Sequence, residues 1–448
     1  MQSTGVYNIR NFGAIGDGVS LDTAAIQRAI DACAEAGGGT ALVPPGTWLT
    51  GTIYLKSHVN LHLMAGARLL GSSRREDYNP DDVFPENPVF SRENVTGAHL
   101  IIAYQADHVS ITGEGTVDGN SAAFFEPLPP EEDSASYRSK HRNYAVREWR
   151  PGQMILFCRC TNVSVRDVSL INAPYWTLLL LGCTVARIRG VRVDNPPATP
   201  NGDGIDIDCC RQVAVSDCIV NSGDDAITLR AANKLLGEHA QPCSDVTVTN
   251  CVLSTPCNAI RIGVGDGEIR DCTFSNLVIR DSRTGINIVS AYSERSAHGA
   301  IIEDIRLANI VMDVVMPMNI ILGVHAKPPA ALRRISLSHI TATTWQGGYI
   351  GGNPGLRAEE ISLTDVQLRL IGDDVDSSFD GSQPRPTGAL SVPLGLFIRE
   401  VNRLRIEGLR VNATEAGGKW RSALQISACD DVAVNEPDVV GGLPWLRD

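Results

Sequence analysis

The chain has 448 residues and a formal net charge of −12, and 43% of its residues are hydrophobic. That length ordinarily divides into two or three globular domains, unless the chain repeats a small unit and grows in one dimension. The negative charge and the lack of a basic stripe exclude a nucleic-acid partner, and the longest apolar run, "WTLLLLGC", is too short to cross a membrane.

The N-terminal part carries the one clear helix that the sequence predicts. Within residues 20–40, Ala25, Ile26, Ile30 and Cys33 share one apolar face at helical spacing. We expect this helix to cap the open end of the structure that follows it. The first residues lack the basic start and the apolar core of a secretory signal, which predicts a cytoplasmic protein.

Most of the remaining chain repeats a short unit made of a strand, a turn and a second, valine-rich strand. Apolar and polar side chains alternate with period two in every unit, which is typical of strands. The units cover residues 160–174, 183–197, 210–223, 243–256, 266–282, 301–315, 332–345, 358–372 and 401–415. Because no amphipathic helix separates them, the repeat predicts an all-β parallel β-helix, whose like positions stack about 4.8 Å apart.

We predict one domain over residues 1–448, with residues 1–75 as the N-terminal cap and first coils. Two segments interrupt the repeat: residues 118–150 mix aromatic and charged side chains, and residues 372–388 are polar. Insertions in a solenoid usually lie over one face, which is often the functional one. The twelve cysteines mostly lie beside strand residues without a disulfide or metal-ligand pattern, which predicts buried, reduced thiols.

Five aspartates lie within 23 positions, in "NGDGIDIDCC" (201–210) and "SGDDAITLR" (222–230). Aligning the coils on a step of a small residue followed by Ile places Asp203 beside Asp225 on the next coil. Asp203, Asp224 and Asp225 should then cluster, and crowded carboxylates are typical of acid–base sites. The alternatives are ordinary Asp turns and a calcium site.

The same alignment predicts columns of side chains across neighbouring coils. The column that starts at Asp203 and Asp225 continues with Asn258 and Thr284. The first outward column contains Asp206, Thr228, Arg261 and Asn287, and the second contains Asp208, Arg230, Gly263 and Val289. Opposite charges on neighbouring coils favour salt bridges over calcium in the two outward columns.

At these residues the chain resembles glycoside hydrolase family 28, the polygalacturonase family. The resemblance runs from "FGAIGDGVSLDTAAIQRAI" through the last coils. The family's Asn-Thr-Asp motif reads "NGD" (201–203), and its Gly-Asp-Asp motif reads "GDD" (223–225). It implies a right-handed, pectin-lyase-like β-helix and hydrolysis with inversion. By position, Asp224 would be the general acid, and Asp203 and Asp225 would hold and activate water.

Two other family motifs are replaced. Gly-His-Gly reads "CNA" (257–259), with Asn258 in place of His, and Arg-Ile-Lys reads "NIV" (287–289). In the family, the Arg and the Lys of the Arg-Ile-Lys motif bind the galacturonate carboxylate. Their loss therefore favours a neutral or deoxy sugar, with Asn258 and Asn287 at the substrate and Val289 against a 6-deoxy methyl group. In the alternative, Arg261 or Arg230 replaces the lost cations and the substrate is a galacturonide; otherwise both arginines balance Asp206 and Asp208.

Trp176 and Tyr292 complete the predicted substrate contacts. Trp176 precedes Asp203 by one coil and is either a sugar platform or a packed core residue. Tyr292 lies in the loop after the "NIVS" strand, where the resemblance implies substrate contacts. The insertion at 118–150 is long enough to close one end of a groove, which predicts exo action on short oligomers.

Together these features predict an inverting glycoside hydrolase that cleaves α-linked sugars from the ends of oligosaccharides. We expect a carbohydrate partner and no cofactor, metal ion, nucleic acid or membrane; the sequence makes no prediction about oligomeric state. Two alternatives stay open: a β-helix polysaccharide lyase, and a carbohydrate-binding β-helix without activity.

Overall fold

The computed structural model describes residues 5–80, 84–88, 93–128, 144–291, 296–372, 394–418 and 420–447. The chain forms two compact units. The N-terminal unit consists of residues 1–136, 140–224 and 235–240, and the C-terminal unit consists of residues 137–139, 225–234 and 241–448.

The N-terminal unit consists almost entirely of short strands and has one long helix, α1 (Thr23–Glu35). Its strands are β1 (Val6–Asn8), β2 (Asp17–Leu21), β3 (Gly39–Val43), β4 (Gly46–Thr50), β5 (Ile53–Leu55), β6 (Val59–Leu63), β7 (Ala67–Gly71), β8 (Ile101–Tyr104), β9 (Ser110–Gly113), β10 (Thr116–Asp118), β11 (Phe125–Glu126), β12 (Ala145–Val146), β13 (Ile155–Cys158), β14 (Thr161–Arg166), β15 (Ser169–Ile171), β16 (Leu178–Leu181), β17 (Thr184–Arg189), β18 (Arg192–Asp194), β19 (Ile205–Asp208), β20 (Arg211–Ser216) and β21 (Ile219–Asn221). Single 3₁₀ turns occur at Ile9–Phe12, Arg75–Asp77 and Ser121–Ala123.

These strands form three parallel sheets, because each coil of the chain adds one strand to each sheet. Sheet A contains β5, β8, β13, β16 and β19. Sheet B contains β1, β3, β6, β9, β14, β17 and β20. Sheet C contains β2, β4, β7, β10, β15, β18 and β21.

Asparagine and aspartate make many of the corners between strands. Asp167, Asn172 and Asp217 all have positive φ, between 50° and 64°. These short polar side chains tolerate the left-handed conformation better than other residues with a Cβ. The corners allow successive strands to turn sharply while their apolar side chains stay in the core.

Helix α1 lies at the start of the strand stack, packed against β1, β3, β5 and β6. It buries Ala25, Ile26, Ala29, Ile30 and Cys33, so the predicted apolar face and its capping role are confirmed. The helix begins later than residue 20 because strand β2 extends to Leu21 and Asp22 is the N-cap residue. The Asp22 carboxylate accepts hydrogen bonds from the backbone N–H groups of Ile15 (2.7 Å) and Gly16 (3.0 Å).

The outer face of sheet A is covered in this unit. Leu156 and Leu179 project outward from neighbouring strands and pack in one buried cluster with Phe84 and Leu236. A salt bridge at 2.8 Å between Arg159 and Glu86 lies beside this cluster. The loop that contains Phe84 and Glu86 therefore closes over the strands and keeps water off their outer face.

The C-terminal unit has the same three-sheet arrangement with longer strands. Its strands are β22 (Ile227–Ala231), β23 (Cys243–Thr249), β24 (Val252–Ser254), β25 (Asn258–Gly265), β26 (Glu268–Ser290), β27 (Ile301–Leu322), β28 (Ala331–Thr344), β29 (Gly348–Gly351), β30 (Ala358–Leu370), β31 (Leu394–Arg399), β32 (Val401–Glu407), β33 (Arg410–Asn412), β34 (Ser422–Ser427), β35 (Asp430–Val434), β36 (Asp438–Val440) and β37 (Trp445–Arg447). A short helix, α2 (Asn233–Leu236), and a 3₁₀ turn (Gly237–His239) follow β22; residues 235–240 of this segment belong to the N-terminal unit.

The long strands β26 and β27 bend at the corners and contribute to all three sheets of this unit. The sheet that matters for function, sheet D, contains β22, β25, the C-terminal parts of β26 and β27, β29, β31, β34 and β37. All of its pairings are parallel. The prediction of a right-handed parallel β-helix with an N-terminal capping helix is confirmed.

The described parts of the two predicted insertions differ in extent. In the first, β11 and β12 form a small antiparallel pair at the base of residues 118–150; residues 129–143 lie outside the described residues. The second, 372–388, lies outside them except for Gly372. The single domain over residues 1–448 stays a prediction.

Two predictions from composition concern the thiols and the membrane. Ten of the twelve cysteines are buried, as expected, and Cys257 and Cys429 are half-buried. Neither α-helix in the described part of the chain has the length and apolar character that crossing a bilayer requires. The cytoplasmic location stays a prediction.

Candidate active site

Asp203 lies at the entrance of β19, at the end of a loop that the N-terminal unit holds rigidly. Asn195 fixes this loop: its Oδ1 accepts from the backbone N–H of Ala173 at 2.9 Å, and its Nδ2 donates to Thr177 Oγ1 at 2.7 Å. The backbone N–H of Thr177 donates to the Asp203 carbonyl at 2.9 Å. This backbone bond fixes the main chain of Asp203 against the preceding coil.

The "GDD" motif requires glycine at its first position for a packing reason. A Cβ on Gly223 would lie 2.5 Å from the Thr199 carbonyl oxygen, far inside contact distance. The Gly223 N–H also donates to the Gly202 carbonyl at 2.9 Å, which joins the two aspartate motifs through their backbones. Asp224 follows directly, and its side chain is half-buried, so a substrate can reach its carboxyl group.

Arg150 is the main buried cation beside this loop, with 1% of its surface exposed. Its Nη1 donates to the carbonyls of Pro174 (3.1 Å) and Pro200 (2.5 Å). Its Nη2 donates to the Glu93 carbonyl (2.8 Å) and to Asn201 Oδ1 (3.0 Å). The guanidinium of Arg150 thus links three segments of the chain. One of these segments, Pro200 and Asn201, comes directly before Gly202 and Asp203.

Burial lowers the pKa of Arg150 to about 10, against the opposing effect of the charges of Tyr175, Glu93 and Asp203. Arg150 still carries its full charge at neutral pH, and it interacts electrostatically with the Asp203 carboxylate. Its guanidinium also lies 4.8 Å from the centre of the Tyr175 ring, a distance typical of a cation–π contact. The sequence analysis placed Arg150 only within the insertion and missed this role.

Trp176 lies on Tyr175 with the two rings nearly parallel, 5.2 Å between centroids and 11° apart. It is 5% exposed and belongs to the apolar cluster over sheet A. Of the two predicted roles, the structure therefore places Trp176 as a packed core residue.

In the C-terminal unit, Asp225 precedes β22 and receives hydrogen bonds from the next coil. Asn258 Nδ2 donates to Asp225 Oδ1 at 2.5 Å, and Arg261 Nε lies 4.0 Å from Asp225 Oδ2. Arg261 is almost fully buried, at 2% exposure. Asn258 and Arg261 thus lie against the two oxygens of the Asp225 carboxyl group.

The predicted register is confirmed in this unit except at Arg230, which was predicted to lie beside Gly263: the pairing shifts between Leu229 and Ala231, so that Ala231 pairs with Gly265. Asn258 pairs with Thr284, Arg261 pairs with Thr228 on one side and with Asn287 on the other, and Gly263 pairs with Val289. The predicted proximity of Asp203 to Asp225 stays a prediction.

The replaced motifs have a different environment from the one we expected. Asn287 Nδ2 donates to Asn258 Oδ1 at 2.9 Å, and Asn287 Oδ1 accepts from Asn319 at 2.9 Å. Val289 is fully buried in a cluster with Ile321, Tyr349, Leu394 and Phe397. Val289 therefore has no surface left for the sugar methyl group that the sequence analysis assigned to it.

Two further predicted substrate contacts, Arg230 and Asp206, differ in how deeply they are buried. Arg230 is half-buried, whereas Asp206 is fully buried in the register column of Leu179. Tyr292 lies outside the described residues. Sequence reasoning also missed Asn319, although extending the outward column by one coil beyond Asn287 would have found it.

Cys257 lies close enough to Asp225 for the two to share a metal ion, with ligand atoms within 4.8 Å of each other. Its sulfur accepts hydrogen bonds from Asn258 Nδ2 (3.3 Å) and Arg283 Nη2 (3.4 Å). Hydrogen-bond donors thus surround this sulfur in the described part of the C-terminal unit, which does not favour a cation there.

Comparison with known proteins is consistent with this arrangement. Residues 86–243 match the model of glycosyl hydrolases family 28, and residues 6–74 match that of rhamnogalacturonase A/epimerase, pectate lyase-like proteins. A probable polygalacturonase of Vitis vinifera is 27% identical over 67% of this chain and 60% of its own length. An exo-poly-alpha-D-galacturonosidase of Dickeya chrysanthemi is 25% identical over 81% of this chain and 65% of its own length. The chain thus spans less than two thirds of these relatives.

Solved structures share the fold. The family 28 exopolygalacturonase of Yersinia enterocolitica superposes with a TM-score of 0.66 at 20% identity, over 98% of this chain and 79% of that one. A hyperthermoactive exopolygalacturonase of Thermotoga maritima gives a TM-score of 0.64 at 20% identity, over 99% and 94% of the two chains. At this identity the likeness speaks for the fold alone.

Proposed function

Because the chain is a member of glycoside hydrolase family 28, we propose that it is an inverting glycosidase that hydrolyses α-linked galacturonides. The observation that carries this proposal is the position of both aspartate motifs. Asp203 lies directly before the last strand of sheet A, and Asp224 and Asp225 lie directly before the first strand of sheet D. Catalytic residues must be held in a precise position, and the parallel strands that follow these motifs provide a rigid backbone for them.

The proposed mechanism assigns one task to each carboxyl group. Asp224, half-buried and reachable, protonates the glycosidic oxygen of the leaving group. Asp203 and Asp225 hold and deprotonate a water molecule that attacks the anomeric carbon from the opposite face of the sugar. Inverting glycosidases separate acid and base by about 6.5–9.5 Å, which leaves room for that water.

We further propose that the enzyme acts on chain ends. The relative from Dickeya chrysanthemi is exo-acting by name. In this chain the base of the insertion contacts the loop that leads to Asp203: the Tyr144 N–H donates to the Ala198 carbonyl at 2.9 Å.

Digestion of tri- to hexagalacturonate and of polygalacturonate tests both parts of this proposal. We expect free galacturonate as the first product, a slow loss of viscosity, and inversion at the anomeric carbon by proton NMR. A rapid loss of viscosity with little reducing sugar would contradict exo action. Products that absorb as unsaturated uronates would support the lyase alternative, and no cleavage of any α-glycoside would leave the carbohydrate-binding alternative.

A second candidate substrate, a neutral or 6-deoxy α-glycoside, has one observation in its favour. The two positions where the family carries cations hold an asparagine whose amide is already hydrogen-bonded and a valine that is fully buried. The relatives named above are galacturonide-cleaving enzymes by name and give this candidate no support. Arg261 Nε lies 4.0 Å from Asp225 Oδ2, and we assign recognition of the uronate carboxylate to Arg261.

Matched uronate, neutral and 6-deoxy α-glycosides separate the two candidates. We expect higher kcat/KM on the uronate, and we expect Arg261→Met to reduce kcat/KM on the uronate more than on the neutral sugar. Losing one charge-assisted hydrogen bond costs about 1.5–3 kcal/mol, or roughly 10- to 150-fold in rate. Faster hydrolysis of the neutral sugar by the unmodified enzyme would reverse the assignment.

A further inference from the structure

A continuous chain of side-chain amides ends on the Asp225 carboxylate. Asn258 donates to Asp225 at 2.5 Å, Asn287 donates to Asn258 at 2.9 Å, and Asn319 donates to Asn287 at 2.9 Å. The asparagines come from three successive strands of sheet D, β25, β26 and β27. All four members are buried, and Asn319, the most distant, is 3% exposed.

The charge at one end determines the direction of every bond in this chain. An ionised carboxylate only accepts hydrogen bonds, so Asn258 must present its Nδ2 to Asp225. Its Oδ1 then points away and accepts from Asn287, whose own Oδ1 in turn accepts from Asn319. Turning any one amide over would place two acceptors or two donors against each other, and in a buried site that is costly.

This geometry also explains why the asparagines are poor candidates for direct sugar contacts. Asn287 uses its Nδ2 on Asn258 and its Oδ1 on Asn319. Asn258 uses its Nδ2 on both Asp225 and the Cys257 sulfur. A ligand would have to displace these bonds, whereas Asp225 gains from them a fixed orientation and a polarised donor.

We propose that Asn258, Asn287 and Asn319 form a directional hydrogen-bond chain that orients the Asp225 carboxylate, with Asn287 and Asn319 as positioning residues that do not touch the substrate. The functional consequence rests on the proposed function, in which Asp225 activates water. Because cooperative chains polarise each successive bond, the effect of Asn319 reaches Asp225 through two intervening amides.

A second asparagine chain in the same unit provides a matched control. Asn309 Nδ2 donates to Asn276 Oδ1 at 3.2 Å, and Asn276 Nδ2 donates to Asn250 Oδ1 at 3.4 Å. These bonds link the same three-coil span, but Asn276 and Asn309 are exposed, and the chain contains no carboxylate. Asn309→Asp therefore makes the same chemical change as Asn319→Asp without touching the Asp225 chain.

Kinetics give the first test. Asn319→Asp keeps the shape of the side chain but cannot donate to Asn287, so we expect kcat to fall about tenfold with KM within about twofold of the unmodified enzyme. Asn309→Asp should leave both values unchanged. Unchanged kcat in a folded Asn319→Asp variant would overturn the proposal, as would an equal loss in the two variants.

Spectroscopy gives a second test that needs no activity. Side-chain amide resonances of Asn258, Asn287 and Asn319 are assigned by substitution in protein with ¹⁵N-labelled asparagine. Asp225→Asn removes the charge at the end of the chain, so all three resonances should shift, while that of Asn309 stays in place. If the chemical shifts of the Asn287 and Asn319 amides stay unchanged in Asp225→Asn, the proposal is overturned, whether or not the enzyme cleaves any sugar. If the resonances shift and no glycoside is cleaved, it is the proposed function that fails.

Discussion

Replacing Asp224 by asparagine is expected to reduce kcat by at least about two orders of magnitude, which is the usual contribution of a positioned proton donor. The amide has nearly the same shape as the carboxyl group but cannot deliver a proton to the leaving oxygen. The hydrogen bond from Ser222 Oγ to Asp224 goes to the backbone carbonyl, at 2.6 Å, and survives the change. Folding should be unharmed, because the change keeps the shape of the side chain and removes a negative charge next to Asp225 in the chain.

The measurement compares initial rates on trigalacturonate with thermal melting of the same samples. Asp217→Asn is the matched control: Asp217 lies in the same unit at an exposed corner with positive φ, paired with Arg189 at 3.2 Å. It should retain full activity. Activity of Asp224→Asn close to that of the unmodified protein would remove Asp224 from the mechanism and would leave the acid unassigned.

Replacing Arg150 by methionine is expected to lower both kcat and stability. The change leaves three backbone carbonyls and the Asn201 side chain without their buried donor. Each buried polar group that loses its partner costs about 1–3 kcal/mol, and partial relaxation of the loop limits the total. The loop before Asp203 loses its anchor, so we expect kcat to fall about 100-fold, since small displacements of catalytic groups have effects of this size.

Arg150→Lys separates position from charge. Lysine keeps the positive charge near Asp203, but its compact ammonium cannot span four acceptors as the planar guanidinium does. We expect the lysine variant to recover part of the stability and little of kcat. Arg147→Met is the control, because Arg147 is exposed and makes its backbone bond to Phe125 at 2.9 Å on the same hairpin. Full activity of Arg150→Met at an unchanged melting temperature would show that the anchor is dispensable.

Local patterns predicted the helix, the repeating strands and the register. Alternation with period two is a property of neighbouring residues, so strands such as β14 and β17 could be located from the sequence. The step of a small residue followed by Ile recurs on each coil because the core of a solenoid admits the same side chains at each level. That recurrence is sufficient to predict that Arg261 lies beside Asn287.

Patterns in the chain could not predict what the side chains contact. Arg150 lies about 50 residues from Pro200 and Asn201, and no period connects them. Val289 was predicted to face a sugar, and Trp176 to face either a sugar or the core; the apolar residues that bury both come from segments distant in sequence. The alternation within one strand predicts only the face of the sheet on which a side chain lies. Whether that side chain is buried depends on all the other segments that pack against this face.

The sequence by itself determined the β-helix, the repeat register and the identity of the aspartates that carry the proposed chemistry, because these follow from spacing along the chain. Only the tertiary structure decided how two of those aspartates are held. Arg150 anchors the loop before Asp203, and the chain from Asn319 to Asn258 ends on Asp225. Both arrangements depend on hydrogen-bond direction and distance between side chains on different coils, and these are fixed only when the coils stack.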